Sequence, residues 1–275
     1  MPVVTANVVV TLPQWSENRI PSLVESLTKA AKQYWVDVSY QPLSTASLVD
    51  DAKCRAILRE LNDFDEPKDD RKLFLVCPSL QAPESIELFE SLQLALKLRT
   101  ERLTFVAMDN DTALTLTEVI RFSDINPRLR VDDIFVPKDT GRGASETLEW
   151  LKGRIQAKDL ILVVERVDEQ NALSKALVSE RIRVFRMPTY KMSRQKMSPF
   201  PDNDLPTYLL VSDATAIAVA KQGFNTFGVN QEQVTFVGSR PALEAFAKKE
   251  CPDVRWLGIP EMSTDAIMNA VSQDG

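Results

Sequence analysis

The tetrapeptide Leu103-Thr104-Phe105-Val106 returns as Val234-Thr235-Phe236-Val237, and the chain around the two copies repeats in the same order. Upstream of the first copy lies the apolar run Leu73-Phe74-Leu75-Val76. Upstream of the second lies Tyr208-Leu209-Leu210-Val211, and each run enters a turn containing serine. Downstream, Ile134-Phe135-Val136-Pro137 and a helix capped at Ser145 answer to Trp256-Leu257-Gly258-Ile259-Pro260 and a helix capped at Ser263 or Thr264. The opening run Val8-Val9-Val10-Thr11, with Ile20, Leu23, Val24, Leu27 and Ala31 behind it at helical spacing, matches Leu160 to Ser179 in the same way. Asp133 to Val136, Arg183 to Phe185 and Val254 to Leu257 are further strand candidates. Short β-branched runs without polar alternation, most of them followed by an amphipathic segment, mark strands buried on both faces of a parallel sheet. The expected fold class is therefore α/β: two similar parallel-sheet α/β domains produced by internal duplication.

Composition narrows the function classes. The 275 residues are about two ordinary domains in length, 44% apolar and 26% charged, enough to bury a real core. Histidine is absent, which removes Ser-His-Asp and Cys-His catalysis, His-ligated zinc and haem, and imidazole acid–base chemistry. The three cysteines, Cys54, Cys77 and Cys251, are far apart and form no Cys-x-x-Cys pair, so they read as reduced thiols of a cytoplasmic protein. With 33 basic against 39 acidic residues the net charge is −6, which repels nucleic acid and anionic membranes. No basic region precedes Val8, and no apolar stretch approaches the roughly 20 residues of a membrane helix. A soluble, cytoplasmic, monomeric protein without nucleic-acid or membrane partners is expected. The segment Asn62 to Arg71, charge-rich and containing Pro67, reads as a loop; Pro199, Pro201 and Pro206 mark a second break. Asp139-Thr140-Gly141-Arg142-Gly143 holds a local Gly-x-Gly, but without a third glycine it also reads as a loop.

This order of elements resembles the uroporphyrinogen-III synthase family over nearly the whole chain. Thr11-Leu12-Pro13 stands where the family has Thr-Arg-Pro, and Glu165-Arg166-Val167 where its second half opens with Arg-Gly. Cys77-Pro78-Ser79 and Val211-Ser212-Asp213 are the counterparts of its Phe-Thr-Ser turns. Val106-Ala107 with Thr112-Ala113, and Val237-Gly238 with Pro241-Ala242, are similar to its Val-Gly and Thr-Ala pairs; Pro260-Glu261 with Thr264-Asp265 is similar to its final motif. Leu12, Pro78, Val167 and Asp213 depart from the pattern. The resemblance implies a discontinuous layout, with residues 1–36 plus 193–275 in one domain and 44–183 in the other. Two extended crossings at 37–43 and 184–192 would form a two-stranded hinge, with a ligand cleft between the domains. Both crossings alternate and end near proline.

The resemblance further implies a lyase that needs no cofactor or metal and acts on an acidic small molecule, the linear tetrapyrrole hydroxymethylbilane. It would close that octacarboxylate to uroporphyrinogen III with loss of water and inversion of the terminal ring, mainly by holding it in the closing geometry. A relative that binds a tetrapyrrole or other acidic ligand without turnover is the alternative. A hinge-closing receptor is a third reading.

Carboxylate recognition calls for cations and exposed N–H groups. Arg181, Arg183, Arg186, Lys191, Arg194 and Lys196 form the densest basic stretch, either an anion-facing patch or a charged edge strand; Arg186, Lys191 and Arg194 are its candidate substrate contacts. Arg166 follows a strand's C-terminal end, where α/β sheets place ligands, or merely flanks a helix. Ser79, Thr112, Ser212 and Ser239 sit where strands hand over to helices and serve as anion contacts, as N-caps, or both. Asp111 and Asp213 beside them act against anions and are themselves cap candidates. Thr11 and Thr264 join the substrate-binding set through the family motifs. Tyr190, in Pro188-Thr189-Tyr190-Lys191, is similar to a family tyrosine after the second crossing. Its phenol is the candidate catalytic proton donor, the alternative being a half-buried aromatic at a strand end.

Overall fold

The computed structural model describes residues 5–15, 22–50, 52–63, 71–138, 143–167, 171–200 and 205–274. In chain order the N-terminal part holds β1 (Ala6–Val10), β2 (Gln14–Trp15), α1 (Ser22–Tyr34), β3 (Val36–Tyr40) and β4 (Ser44–Leu48). Next come α2 (Ala52–Asp63), β5 (Leu73–Cys77), α3 (Gln81–Leu88), α4 (Glu90–Lys97), β6 (Leu103–Ala107), α5 (Asn110–Phe122) and α6 (Gly143–Lys152). They are followed by β7 (Leu160–Arg166), α7 (Ala172–Ser179), β8 (Val184–Arg194) and β9 (Thr207–Leu210). The chain closes with α8 (Ala214–Phe227), β10 (Val234–Gly238), α9 (Pro241–Glu250), β11 (Arg255–Gly258) and α10 (Thr264–Asp274). Two sheets form, in the orders β11-β10-β9-β1-β3 and β2-β4-β8-β7-β5-β6, and every described pairing is parallel. The α/β class read from the sequence is the class the chain adopts. It divides into two compact units, one of residues 1–46 and 192–275 and the other Ser47–Lys191, with both boundaries inside strands, β4 and β8.

The first sheet is organised by β1, which pairs with β3 on one side and β9 on the other. Its valines alternate faces as a strand must. Val8 and Val10 pack with Leu27 of α1 and with Ile267 and Met268 of α10, while Val9 packs with Ile217, Ala220 and Phe224 of α8 and Ala247 of α9. That two-sided burial is why the run carries no polar residue. In the second sheet Phe74, Val76, Val106, Ile161 and Val163 form one face, covered by Leu151 of α6 and by Leu173 and Leu177 of α7.

The repeated tetrapeptides are the strands β6 and β10, each paired in parallel with the apolar strand that precedes it. The repeat then diverges. Trp256 of β11 pairs with Phe236, but the expected strand Asp133–Val136 shrinks to a single bridge, Phe135 opposite Val106. A 3-10 turn occupies Val131–Asp133, held by the Asp133 carboxylate on the Arg130 backbone, and Pro137 ends the run. Phe135 instead stacks on Trp150 with centroids 4.2 Å apart. Helix α6 begins at Gly143, so Ser145 lies inside its first turn and does not cap it. Ser263 caps α10 through the Ala266 N–H, leaving Thr264 as the first helical residue. In the first sheet Gly238 leaves room for Trp256, whose ring would lie 2.6 Å from a β-carbon at that position.

The last helix is tied to the sheet by one polar cluster. The Tyr208 phenol donates to Asp274 Oδ2 at 2.9 Å, and Arg255 bonds the other carboxylate oxygen. Tyr208 and Arg255 both lie opposite Thr235, one on each side of β10, so the three side chains meet on one row of the sheet. Burial first, then the bond to Asp274 and its charge, pushes the Tyr208 phenol up to about 12, with Arg255 opposing. An unfolded tyrosine ionises near 10, so the contribution is complete below that pH and is lost as pH rises toward 12. Tyr208→Phe is expected to destabilise the fold by about 1.5–3 kcal/mol at neutral pH, the range for hydrogen bonds to charged groups. Urea melts should show the wild-type advantage shrinking between pH 10 and 12.

Candidate functional site

Tyr190 is fixed by the residues around it on β8. The Pro188 carbonyl accepts from the Cys54 thiol of α2 at 3.1 Å, and the Thr189 carbonyl accepts from the Val49 N–H at 2.8 Å. The Thr189 hydroxyl pairs with Ser85 of α3 at 2.7 Å, and Ser85 also donates to the Ala82 carbonyl. The Tyr190 carbonyl accepts from the Val167 N–H at 2.9 Å, just beyond a register irregularity between Glu165 and Arg166 that sets Arg166 opposite Tyr190. The phenol itself lies 2.6 Å from the Ser79 hydroxyl. Ser79 ends the turn from β5 into α3, its carbonyl bonded to the Ala82 N–H. Tyr190 is 3% exposed, whereas Ser79 is partly open. Two sequence candidates from distant parts of the chain thus meet at the C-terminal end of the second sheet, where parallel sheets place ligands.

The basic stretch divides. Arg183 pairs with Glu60 at 2.7 Å, and Arg186 pairs with Glu165 at 2.5 Å. Glu165 is buried, and its other oxygen accepts from Ser174 of α7 at 3.0 Å, so this carboxylate is fully engaged. In the sequence Glu165 figures only as a motif neighbour. A charge continuing the all-apolar run Leu160–Val164 is the signal that a partner has to be close. Arg186 is thereby committed to a structural pair, whereas Lys191 and Arg194 are exposed and, among the described residues, carry no ion pair.

The hydroxyl turns sort differently from one another. Thr11 is buried and donates to the Leu210 carbonyl at 2.5 Å, so its proton is taken by the sheet. Thr112 is fully buried; its N–H bonds Asp109, which is the N-cap of α5, while Asp111 lies within the first turn. Asp213 caps α8 through the Ala216 N–H, with the Ser212 hydroxyl 3.5 Å from its carboxylate. At both helices a carboxylate of the chain sits where an anion would be drawn. Ser239 and Thr264 are partly exposed after β10 and at the start of α10. Asp139 to Arg142, with the first glycine of the local Gly-x-Gly, lie outside the described residues. Burial drives the thiol of Cys77, at the end of β5, far up, so it stays protonated and is no nucleophile. Among the described residues no His, Cys, Asp and Glu cluster could hold a metal ion, and no helix is long and apolar enough to cross a membrane.

No protein-family model and no curated protein matches the sequence. Solved structures do. A mutant uroporphyrinogen III synthase from the extremely thermophilic bacterium Thermus thermophilus is similar at a TM-score of 0.53 and 11% identity, over 98% of this chain and 97% of that one. The uroporphyrinogen-III synthetase of Helicobacter pylori is similar at 0.51 and 13% identity, over 98% of this chain and 100% of that one. The likeness is one of fold along the whole length. It makes this chain a two-unit α/β protein of the uroporphyrinogen III synthase architecture.

The two arginine classes should separate on mutation. Arg186→Glu would set two carboxylates together in a partly buried place and is expected to cost about 2–4 kcal/mol, somewhat below a fully buried broken pair because Arg186 keeps about a quarter of its side chain exposed. Lys191→Glu should stay within about 0.5 kcal/mol of wild type. Chemical denaturation of the two variants checks both.

Proposed function

We propose that the chain cyclises hydroxymethylbilane to uroporphyrinogen III, as a lyase without a cofactor. The observation that supports this best is the phenol–hydroxyl pair Tyr190–Ser79 at the C-terminal end of a parallel sheet, in a chain whose fold is that of the synthases along its length. The reaction asks for little more than a proton and a held geometry. The substrate's terminal hydroxyl leaves as water, the terminal pyrrole inverts through a spiro intermediate, and the ring closes. Tyr190 is the proton source, since the chain has no histidine and an ionised carboxylate cannot donate. Lys191 and Arg194 supply cations for substrate carboxylates, with Arg166 opposite Tyr190 on β7. Ser212, Ser239 and Thr264 stand at strand-to-helix turns, which offer backbone N–H groups.

A second reading, binding of a tetrapyrrole or other acidic ligand without turnover, draws on the carboxylate caps Asp109 and Asp213. Each occupies a helix N-terminus that a polycarboxylate would otherwise use. Incubation with freshly generated hydroxymethylbilane separates them: type III isomer is expected, and type I alone, the spontaneous product, would overturn the synthase reading and support the second. Tyr190→Phe should fold, keep most substrate affinity and lose at least about tenfold in turnover. The double variant Lys191→Glu, Arg194→Glu should raise KM about tenfold or more without lowering thermal stability, since charge-assisted contacts carry about 1.5–3 kcal/mol each. Unchanged KM would remove both residues from the substrate site.

A further inference from the structure

We propose, resting on the reading of Tyr190 as proton source, that Ser79 is the catalytic hydroxyl that meets the substrate and that Tyr190 acts through it. Two observations and one chemical fact carry this. Tyr190 is 3% exposed, so its phenol does not present itself to a ligand, whereas Ser79 is partly exposed. The two oxygens are 2.6 Å apart, a short hydroxyl–hydroxyl contact suited to proton transfer. A phenol is the stronger acid of the two, so the pair orders itself with Tyr190 donating and the Ser79 proton directed onward.

The position of Ser79 is built in. It ends the turn after β5, is anchored by its carbonyl on the Ala82 N–H, and faces a β8 segment clamped at Pro188, Thr189 and Tyr190. Neither partner can drift without breaking bonds on α2, α3 or the end of β7.

Atoms and electrons balance in the step. The bond from the substrate's methylene carbon to its hydroxyl oxygen breaks, and the electron pair leaves with that oxygen. The oxygen takes the Ser79 proton and departs as water, while Ser79 takes the phenol proton. Tyr190 is left as phenolate, balancing the positive charge on the pyrrole-stabilised carbon. When the attacking pyrrole carbon closes the ring and loses its hydrogen, that proton returns through Ser79 to Tyr190. The elements next to Tyr190 carry charged residues: Arg166 at the paired position on β7, Lys191 next along β8, the Glu165–Arg186 pair earlier on the two strands, and Glu84 and Glu87 on α3.

The test is a double-mutant cycle with a proton inventory. Ser79→Ala and Tyr190→Phe should each lose about tenfold or more in kcat with KM within about twofold, and the double variant should lose no more than either alone. Ser79→Thr, which keeps the hydroxyl, should restore most of kcat. In mixtures of light and heavy water kcat should fall along a curve in wild type, two protons moving together, and along a straight line in Ser79→Ala. If Tyr190→Phe loses turnover while Ser79→Ala keeps it, the relay is overturned and Tyr190 alone survives; if the losses multiply, the relay is overturned and the two residues act independently. If wild type yields no type III isomer, or Tyr190→Phe keeps full turnover, the underlying reading fails and the relay with it. A Ser79→Ala variant that is poorly folded by thermal melting leaves Ser79→Thr to decide: an inventory still curved supports the relay, a linear one overturns it.

Discussion

Burial of β1 on both faces is the constraint on which the first unit depends. Val8, Val9 and Val10 have no exposure to spare, and their hydrogen-bonding edges are filled by β3 on one side and β9 on the other. A strand at the start of the chain therefore closes its sheet with a strand some two hundred residues later, as the Thr11–Leu210 bond records. Loop closure over such a distance must be met before the burial of α1, α8, α9 and α10 rewards it, which marks this as a slow-folding topology. It also means the intervening Ser47–Lys191 unit is inserted between two halves that have no complete core without each other.

In the second unit the same constraint applies to polar groups. β8 carries Thr189 and Tyr190, both buried, into contact with α3 and the turn before it, and an unpaired buried hydroxyl there would cost about 1–3 kcal/mol. Ser85 and Ser79 answer them one for one. Such matched pairs act like a register mark between strand and helix, since a slip of one residue would leave four hydroxyls without these partners. On Arg186 and Glu165 the principle is the same with charge: the pair costs desolvation, but Ser174 completes the carboxylate's bonding and holds α7 on the strand.

How much of this was legible follows from what each signal measures. Apolar runs report burial directly, so the central parallel strands and the repeat were readable from short runs of β-branched, leucine and aromatic residues. The strand at Asp133–Val136 failed because its flanks, Asp132-Asp133 and Pro137, favour a turn more strongly than Ile134 and Phe135 favour a sheet. β4 was unreadable: Ser44-Thr45-Ala46-Ser47-Leu48 has a polar composition that only its neighbours in space turn into a strand. At the site, residue types were visible but their partners were not. Thr112 and Asp109 lie three apart, and spacing could not say which side chain caps the helix. Ser79 and Tyr190 are separated by more than a hundred residues, so no local pattern announces their contact.

The composition of the site bears on how the fold tolerates so much change. Chemistry carried by imidazole or a metal would impose specific side chains, and their loss would be visible as loss of function. The proposed site, made of two hydroxyls, backbone N–H groups and a few surface cations, would impose far less, because serine and threonine both carry a hydroxyl and an N–H belongs to no residue type. The requirement of the proposed site is geometric: a hydroxyl just after β5 beside a tyrosine on β8, two positions that the order of strands in the sheet brings together. An architecture retained at 11–13% identity is what such a requirement permits. The carboxylate caps on α5 and α8 occupy two helix ends in this chain, so on the proposed reading anion recognition would fall to exposed cations such as Lys191 and Arg194.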